Sequence, residues 1–204
     1  MKKLYLASAS PRRHEILDIM NLPHTILTAD ADENIDTSLS PREAGEILAA
    51  RKALAVKNAL IDRGEFDGDT VIIAADTLVY IDRTPLGKPK DENDAVRMLL
   101  TLSGKVHSVC TGVCVVHGNR SISSSDASLV HMRAFDENEA KAYVATGEPL
   151  DKAGAYGIQG IGSVLVDRID GDFFTIMGLS PKVVCRLFDK LSLPYFASVQ
   201  NFSK

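Results

Sequence analysis

The chain has no tryptophan, and only three of its 204 residues are cysteine. So sparse and odd a count excludes a disulfide-built scaffold and fits a reducing cytosol. Cys110 and Cys114 fall four apart in a strand-like run, roughly 13 Å apart at ~3.3 Å per residue, too far for a bridge within one strand. Cys185 falls in a helical pattern. No apolar stretch is long enough to span a bilayer, so no membrane partner is expected. The opening MKKLYLASAS carries two lysines but no sustained apolar region, and reads as a first strand rather than a secretory signal. Excess positive charge is missing too. The net charge of −4 argues against a general affinity for nucleic acid. His14, His24, His107, His117 and His131 show no metal-type spacing, and no cysteine stands at a helix start. Neither a zinc site nor a thiol nucleophile is expected. Walker A and dinucleotide fingerprints are also lacking.

What is there is an ordinary globular composition, 45% hydrophobic and 25% charged, enough for one large α/β domain or two small lobes. Its most informative run is LASASPRR, residues 6–13. An apolar strand end runs into Ser8, Ser10, Pro11, Arg12 and Arg13, followed by Ile16, Leu17 and Met20 at helical spacing. Ser10 is placed to N-cap that helix and Pro11 suits its first turn. Cations are unfavourable at a helix N-terminus unless an anion joins them. Two hydroxyls and two guanidinium groups beside free backbone N–H groups describe a phosphate site.

Residues 25–40 read as polar and irregular, with Asp30, Asp32, Glu33 and Asp36. Ser40, Pro41 and Glu43 open a second helix with a capping-box pattern. TVIIAA (70–75) is a buried central strand that ends at Asp76 and Thr77, with Val79–Ile81 extended beyond. A helix runs from Asp91 and Asp94 to Gly104. Residues 106–116 alternate as a strand, turn through His117–Asn119, and meet a partner near Ala127, Leu129 and His131. Asp136 and Glu139 cap a helix that stops at Gly147. Strands are expected near 163–169 and 173–176, a helix near 181–191, and a frayed tail after Tyr195. Seven of the fourteen glycines lie in 147–178, a density that permits tight turns and close approach to a ligand.

Asp76 at a strand's carboxyl end lies where open α/β sheets bind ligands, and can serve as a base or hold a divalent cation. Alone it reads slightly better as a turn cap; the company of Arg12, Arg13, Lys52 and Lys88 shifts the balance. For Lys88, between Gly87 and Pro89, a surface turn competes; for Lys52, a solvated helix face competes equally. Gln159, between glycines, offers an amide that donates and accepts and matches part of a uracil-like base edge; a backbone-bonding turn amide is the alternative.

LASASPRR, ADT (75–77), LGKPKD (86–91), LSGKVHSVCTGV (102–113) and GEPLDKAGAYGIQG (147–160) together resemble the Maf family of septum-formation-associated nucleotide pyrophosphatases, from Leu6 to about Leu179. The resemblance implies an α/β fold related to inosine triphosphate pyrophosphatases: an elongated mixed β-sheet flanked by helices with a central cleft. It implies one domain, 1–204, of two lobes around a nucleotide cleft, and usually a homodimer. It implies hydrolysis of a nucleoside triphosphate to monophosphate and pyrophosphate with Mg²⁺ or Mn²⁺. Carried over, Asp76 is the proton acceptor. Ser8, Arg13, Lys52 and Lys88 handle phosphate. Glu33 is tied to metal or water activation, making Asp76 and Glu33 the metal pair. Arg12, Thr77 and Gln159 are tied to base selectivity. SPRR with GIQG resembles the branch acting on dTTP and UTP. A sister branch for 7-methylguanosine triphosphate carries an aromatic where Arg12 stands. Departures are local: GLS (178–180) for GLP, Leu78 for valine, and a DRTP turn (82–85) without glycine. Two other readings use the same residues, a nucleotide-binding regulator of cell division without catalysis and a phosphatase releasing inorganic phosphate.

Overall fold

A computed structural model describes residues 2–36, 38–193 and 195–198. In chain order the elements are β1 (Lys3–Leu6), α1 (Pro11–Ile19), β2 (Thr25–Ile26), α2 (Pro41–Asp62), β3 (Thr70–Ile81), β4 (Thr84–Leu86), α3 (Glu92–Leu102), β5 (Val106–His117), β6 (Arg120–Met132) and α4 (Glu137–Val144). Three short 3₁₀ segments, Glu148–Asp151, Ala153–Ala155 and Ile161–Leu165, lead to β7 (Val166–Asp170), α5 (Phe173–Met177), α6 (Pro181–Lys190) and α7 (Tyr195–Ser198). The strands form one mixed sheet of seven, ordered β2-β1-β3-β5-β6-β7 with β4 on β3. β1 runs parallel to both neighbours, with Tyr5 opposite Thr25 and Ile72, while β3/β4 and β6/β7 are antiparallel. This is the mixed α/β architecture expected from the sequence.

The described residues fall into two compact units, the first within Met1–Asp76, Thr111–Asp126 and Gly178–Lys204, the second within Thr77–Cys110 and Ala127–Met177. In the first, α2 opens with the capping box: Ser40 Oγ accepts from the Glu43 amide at 3.3 Å and the Glu43 carboxylate accepts from the Ser40 amide at 3.0 Å. The buried face of α2 is built from small residues, Ala44, Gly45, Ala49 and Ala53, among Leu48, Val56 and Leu60. Ala49, Ala53, Val56 and Leu60 pack with Ile72 and Ala74 of β3 and Cys114 and Val116 of β5. Alternation along each strand puts Asp76 and Gly112 on that same face. At Gly112 a Cβ would overlap the Gly45 carbonyl, and a Cβ on Gly45 would lie 3.0 Å from the Gly112 nitrogen. Helix and sheet therefore touch backbone to backbone, which only glycine permits.

The second unit packs α3 and α4 around Val79, Ile81, Val109, Val130 and Met132. His107 and Tyr156 lie within its buried interior, Nε2 to the hydroxyl at 2.8 Å. His107 Nδ1 is buried with no hydrogen-bond partner. Burial first, and the nearby His131 second, push the His107 pKa down from 6.5 to about 4. At the β3–β4 turn, Asp82 and Arg83 both adopt positive φ, 48° and 68°, as a two-residue hairpin requires; the missing glycine does not prevent the turn.

Several expectations are corrected. β3 does not end at Asp76 but runs on to Ile81; the carboxylate is paired with a lysine, so its charge does not break the strand. The expected strand at 173–176 is α5. Asp172 accepts from the Phe174 amide at 3.0 Å and the Thr175 hydroxyl at 3.2 Å, an N-terminal capping pattern that turns DFFTIM into helix. Residues 163–165 are 3₁₀, and only Val166 onward is strand. Within the irregular 25–40 segment, Thr25–Ile26 adds a parallel edge to β1. His117 stays in β5, and the hairpin turn is Gly118–Asn119. The tail after Tyr195 begins with the turn α7; residues 199–204 lie outside the described residues. None of the three cysteines is in a disulfide, and Cys110 and Cys114 are fully buried. Burial and the neighbouring Asp189 raise the Cys185 pKa against an opposing backbone hydrogen bond.

Two outcomes follow for stability measurements. Gly112→Ala forces apart two backbones that cannot yield, an overpacking cost of about 3 kcal/mol, and lowers Tm by roughly 6–12 °C; an unchanged Tm contradicts the close approach. For His107, the unfolded chain binds a proton near pH 6.5 that the folded chain takes up only near pH 4. Stability is thus fully present above pH 6.5 and falls as pH drops to 4, by about 3 kcal/mol. In denaturant titrations His107→Gln flattens that part of the pH profile; an unaltered slope removes His107 as its cause.

Candidate functional site

The first unit holds six of the predicted residues, Ser8, Arg12, Arg13, Glu33, Lys52 and Asp76. β1 ends at Leu6, and the chain turns through Ser8 into α1. Ser8 Oγ, nearly buried, accepts from the Ser10 amide at 3.2 Å and from Arg13 Nη1 at 3.0 Å. Arg13 Nε donates to the Gly178 carbonyl at 2.8 Å. Ser10 is the N-cap residue but makes no side-chain cap bond, and the first turn of α1 contains no acidic residue. The amides of that turn, with Arg12 and Arg13 beside them, suit an anion. Desolvation lowers the Arg13 pKa, Asp76 opposes this, and Arg12 adds to the lowering; a guanidinium remains a cation throughout.

Asp76 lies on the α2 side of β3, 9% exposed. Lys52 Nζ donates to its Oδ1 in a short contact and lies 2.9 Å from Glu33 Oε1. The solvated-face reading of Lys52 is thereby overturned: its ammonium joins two carboxylates. Glu33 is brought there by Arg51, whose Nη1 donates to the carbonyls of Asp32 at 3.1 Å and Asn34 at 2.5 Å. Sequence reasoning assigned Arg51 no role, yet it fastens the acidic loop to α2. Glu46 and Ser125 were also missed; the Ser125 hydroxyl donates to Glu46 at 2.7 Å, tying the first turns of α2 to β6.

The remaining predicted residues belong to the second unit. Thr77 follows Asp76 on β3, and Lys88 is exposed in the loop after β4. Gln159 is half-buried in the glycine-rich segment. That segment is held by Glu148, which sequence reasoning did not single out. Its carboxylate accepts from the amides of Ile161 and Gly162, both at 2.9 Å, and from the Tyr143 hydroxyl at 2.8 Å. Tyr143 oxygen in turn accepts from the Gly157 amide at 3.1 Å. Burial pulls the Glu148 pKa up, but the Gly162 and Ile161 amides, Tyr143 and Lys152 outweigh it and hold it below its ordinary value. Lys152 pairs with Asp151 at 2.7 Å and also donates to the Glu148 carbonyl. The Gly154 amide bonds the Gly87 carbonyl at 3.0 Å, joining this segment to the Lys88 loop. No local spacing in the sequence marks Glu148, because its partners lie 13 and 14 residues away.

The pair Asp76 and Glu33 offers only carboxylate oxygens, a donor set that suits a hard divalent cation completed by phosphate oxygens. Among the described residues, the histidines give one group that sequence spacing did not reveal: His14, Asp18 and His24, within ligand reach of one another.

A family model described as Maf-like protein matches residues 3–191. A dTTP/UTP pyrophosphatase of Alkaliphilus oremlandii is 44% identical over 181 residues, covering 88% of this chain and 91% of that protein. One from Caldicellulosiruptor bescii is 45% identical over 181 residues, covering 88% and 89%. One from Bacillus pumilus is 41% identical over 196 residues, covering 96% and 100%.

The Glu148 clamp predicts a local effect. Glu148→Ala removes the acceptor of two amides, each bond to a charged group being worth ~1.5–3 kcal/mol. Amide exchange at Ile161 and Gly162 then speeds by about tenfold or more while α1 and β1 keep their protection. Unchanged exchange at those two amides would show that other contacts hold the segment.

Proposed function

Because this chain belongs to the Maf family, we propose that it hydrolyses dTTP and UTP, with related modified pyrimidine nucleotides, to the nucleoside monophosphate and pyrophosphate. The observation that carries the proposal within the molecule is the convergence of Asp76 and Glu33 on Lys52, on the same unit as Ser8 and Arg13. A phosphate-binding turn alone describes any nucleotide binder. A carboxylate paired with a lysine beside it describes hydrolysis, since it can take a proton from water.

In this reading water attacks the α-phosphorus, its oxygen forms the new bond, and the bond to pyrophosphate breaks. Asp76 accepts the water's proton, and Lys52, which donates to it, keeps that carboxylate oriented beforehand. Arg13, steadied by Ser8 and the Gly178 carbonyl, and the amides opening α1 hold phosphate oxygens; Lys52 and Lys88 supply positive charge as negative charge grows on the leaving pyrophosphate. Thr77, Arg12 and Gln159 select the base, with the Gln159 amide facing a uracil or thymine edge. Asp76 and Glu33 would hold Mg²⁺ or Mn²⁺, which when bound neutralises phosphate charge. The chain works as a cytoplasmic homodimer, as the family resemblance implies. Among the described residues no helix is long and apolar enough to cross a membrane.

The test is product analysis on dTTP, UTP, CTP, GTP, ATP and 7-methylguanosine triphosphate with Mg²⁺ or Mn²⁺. Monophosphate plus pyrophosphate, greatest for dTTP and UTP, is the expected result. Asp76→Asn should fold and bind nucleotide yet turn over about 10²–10⁴-fold more slowly, the usual worth of a positioned base. Release of inorganic phosphate makes the protein a phosphatase, and turnover of the methylated guanine nucleotide alone refutes the pyrimidine assignment. Nucleotide binding without any turnover would leave a regulator.

A further inference from the structure

On the first unit, a second group of side chains has no part in the phosphate chemistry above. His14 and Asp18 stand four apart on α1 and so share a face. His24 lies just before β2, after a reversal in which Asn21 adopts φ 50°. The three offer ligand atoms that all lie within 4.8 Å of one another. His14 Nδ1 and His24 Nε2 are 2.7 Å apart, and His14 Nε2 is 3.4 Å from Asp18 Oδ2. The group borders a surface hollow of about 460 Å³ whose wall also includes Lys3, Tyr5 and Asn21.

His24 Nδ1 lies 2.8 Å from the Leu22 carbonyl. A carbonyl only accepts, so this nitrogen is the donor there, and the opposite nitrogen, Nε2, is the one turned toward His14. An imidazole whose far nitrogen is tied to a backbone carbonyl is how proteins orient a metal-binding histidine.

The geometry points to a site for a borderline transition metal of the Zn²⁺ class, held by His14, His24 and Asp18. Two imidazoles and one carboxylate are the donors such an ion takes, with bonds near ~2.0–2.2 Å. Those bonds set tetrahedral ligand spacings of about 3.3 Å, and one nitrogen of each ring and one Asp18 oxygen already lie within 4.8 Å of one another. A single His14 nitrogen ligates, so the partly exposed ring turns until that nitrogen, His24 Nε2 and the carboxylate face one ion, and the 2.7 Å contact between the rings gives way to it. The hollow leaves room for a water as the fourth ligand. Mg²⁺ and Ca²⁺ prefer all-oxygen shells and are poor occupants. The bound ion would clip α1, which begins with the phosphate-handling arginines, to the segment entering β2.

The experiment uses the full chain after chelator treatment and buffer exchange. Zn²⁺ is titrated calorimetrically, Co²⁺ is followed by its visible absorption, and Tm is recorded with and without Zn²⁺. One equivalent of Zn²⁺ should bind and raise Tm, and Co²⁺ should give a tetrahedral spectrum. His14→Ala and His24→Ala, both at the surface, should fold yet weaken binding by more than the roughly 10–100-fold that losing an outer-shell partner costs. The Tm rise should vanish with it. Glu33→Gln should bind Zn²⁺ as the parent does. The assignment is overturned if Zn²⁺ does not bind, if both histidine variants bind it unchanged, or if Glu33→Gln abolishes binding, which would place the ion at the catalytic carboxylates.

Discussion

Everything in the first unit depends on how closely α2 can lie on the sheet. Gly45 and Gly112 meet backbone to backbone, and Ala44, Ala49 and Ala53 keep the rest of the helix low. Lys52 follows Gly45 by seven residues, two turns on and on the same face. A helix raised by larger side chains would carry its lysine away from Asp76. The contact that looks like packing is what sets the reach of the ammonium, and hence the state of the carboxylate.

That carboxylate is an electrostatic compromise. A nearly buried Asp76 is costly unless paired, and Lys52 and Arg13 both act on it. Glu33 shares the same ammonium from a more exposed position. The site therefore holds its charges mutually compensated, while the first turn of α1, which contains no acidic residue, opens beside Arg12 and Arg13. A polyanionic ligand completes an arrangement whose carboxylates are already committed and whose helix start is not.

The sequence disclosed the parts of this arrangement that are local. Ser8, Ser10 and Arg13 lie within six residues, so a strand end feeding a helix start could be read directly. The capping box at Ser40 and the caps at Asp91 and Asp136 were legible for the same reason. What escaped was non-local. That β3 continues through Asp76 follows from Lys52, 24 residues earlier. The strand expected at 173–176 failed because apolar, β-prone residues were weighed without the Asp172 side chain that caps them. Glu148 and the His14–Asp18–His24 group depend on chain reversals that bring distant or unevenly spaced residues together. Residue spacing along a chain cannot show such meetings, whereas family resemblance, which pools many motifs at once, pointed to Asp76, Glu33 and Lys52 as one group.

The three thiols carry a consequence for handling the molecule. Cys110 and Cys114 have no exposed surface, and Cys185 is held toward its protonated form by burial and Asp189. A thiol reacts through its thiolate and only where a reagent can reach it. Cys110 and Cys114 are thus shielded from maleimides and mild oxidants, and Cys185, half-buried, is the native thiol a reagent meets, more slowly than it would meet an exposed cysteine. Probes can be placed residue by residue once Cys185 is replaced, with Cys110 and Cys114 left where they pack.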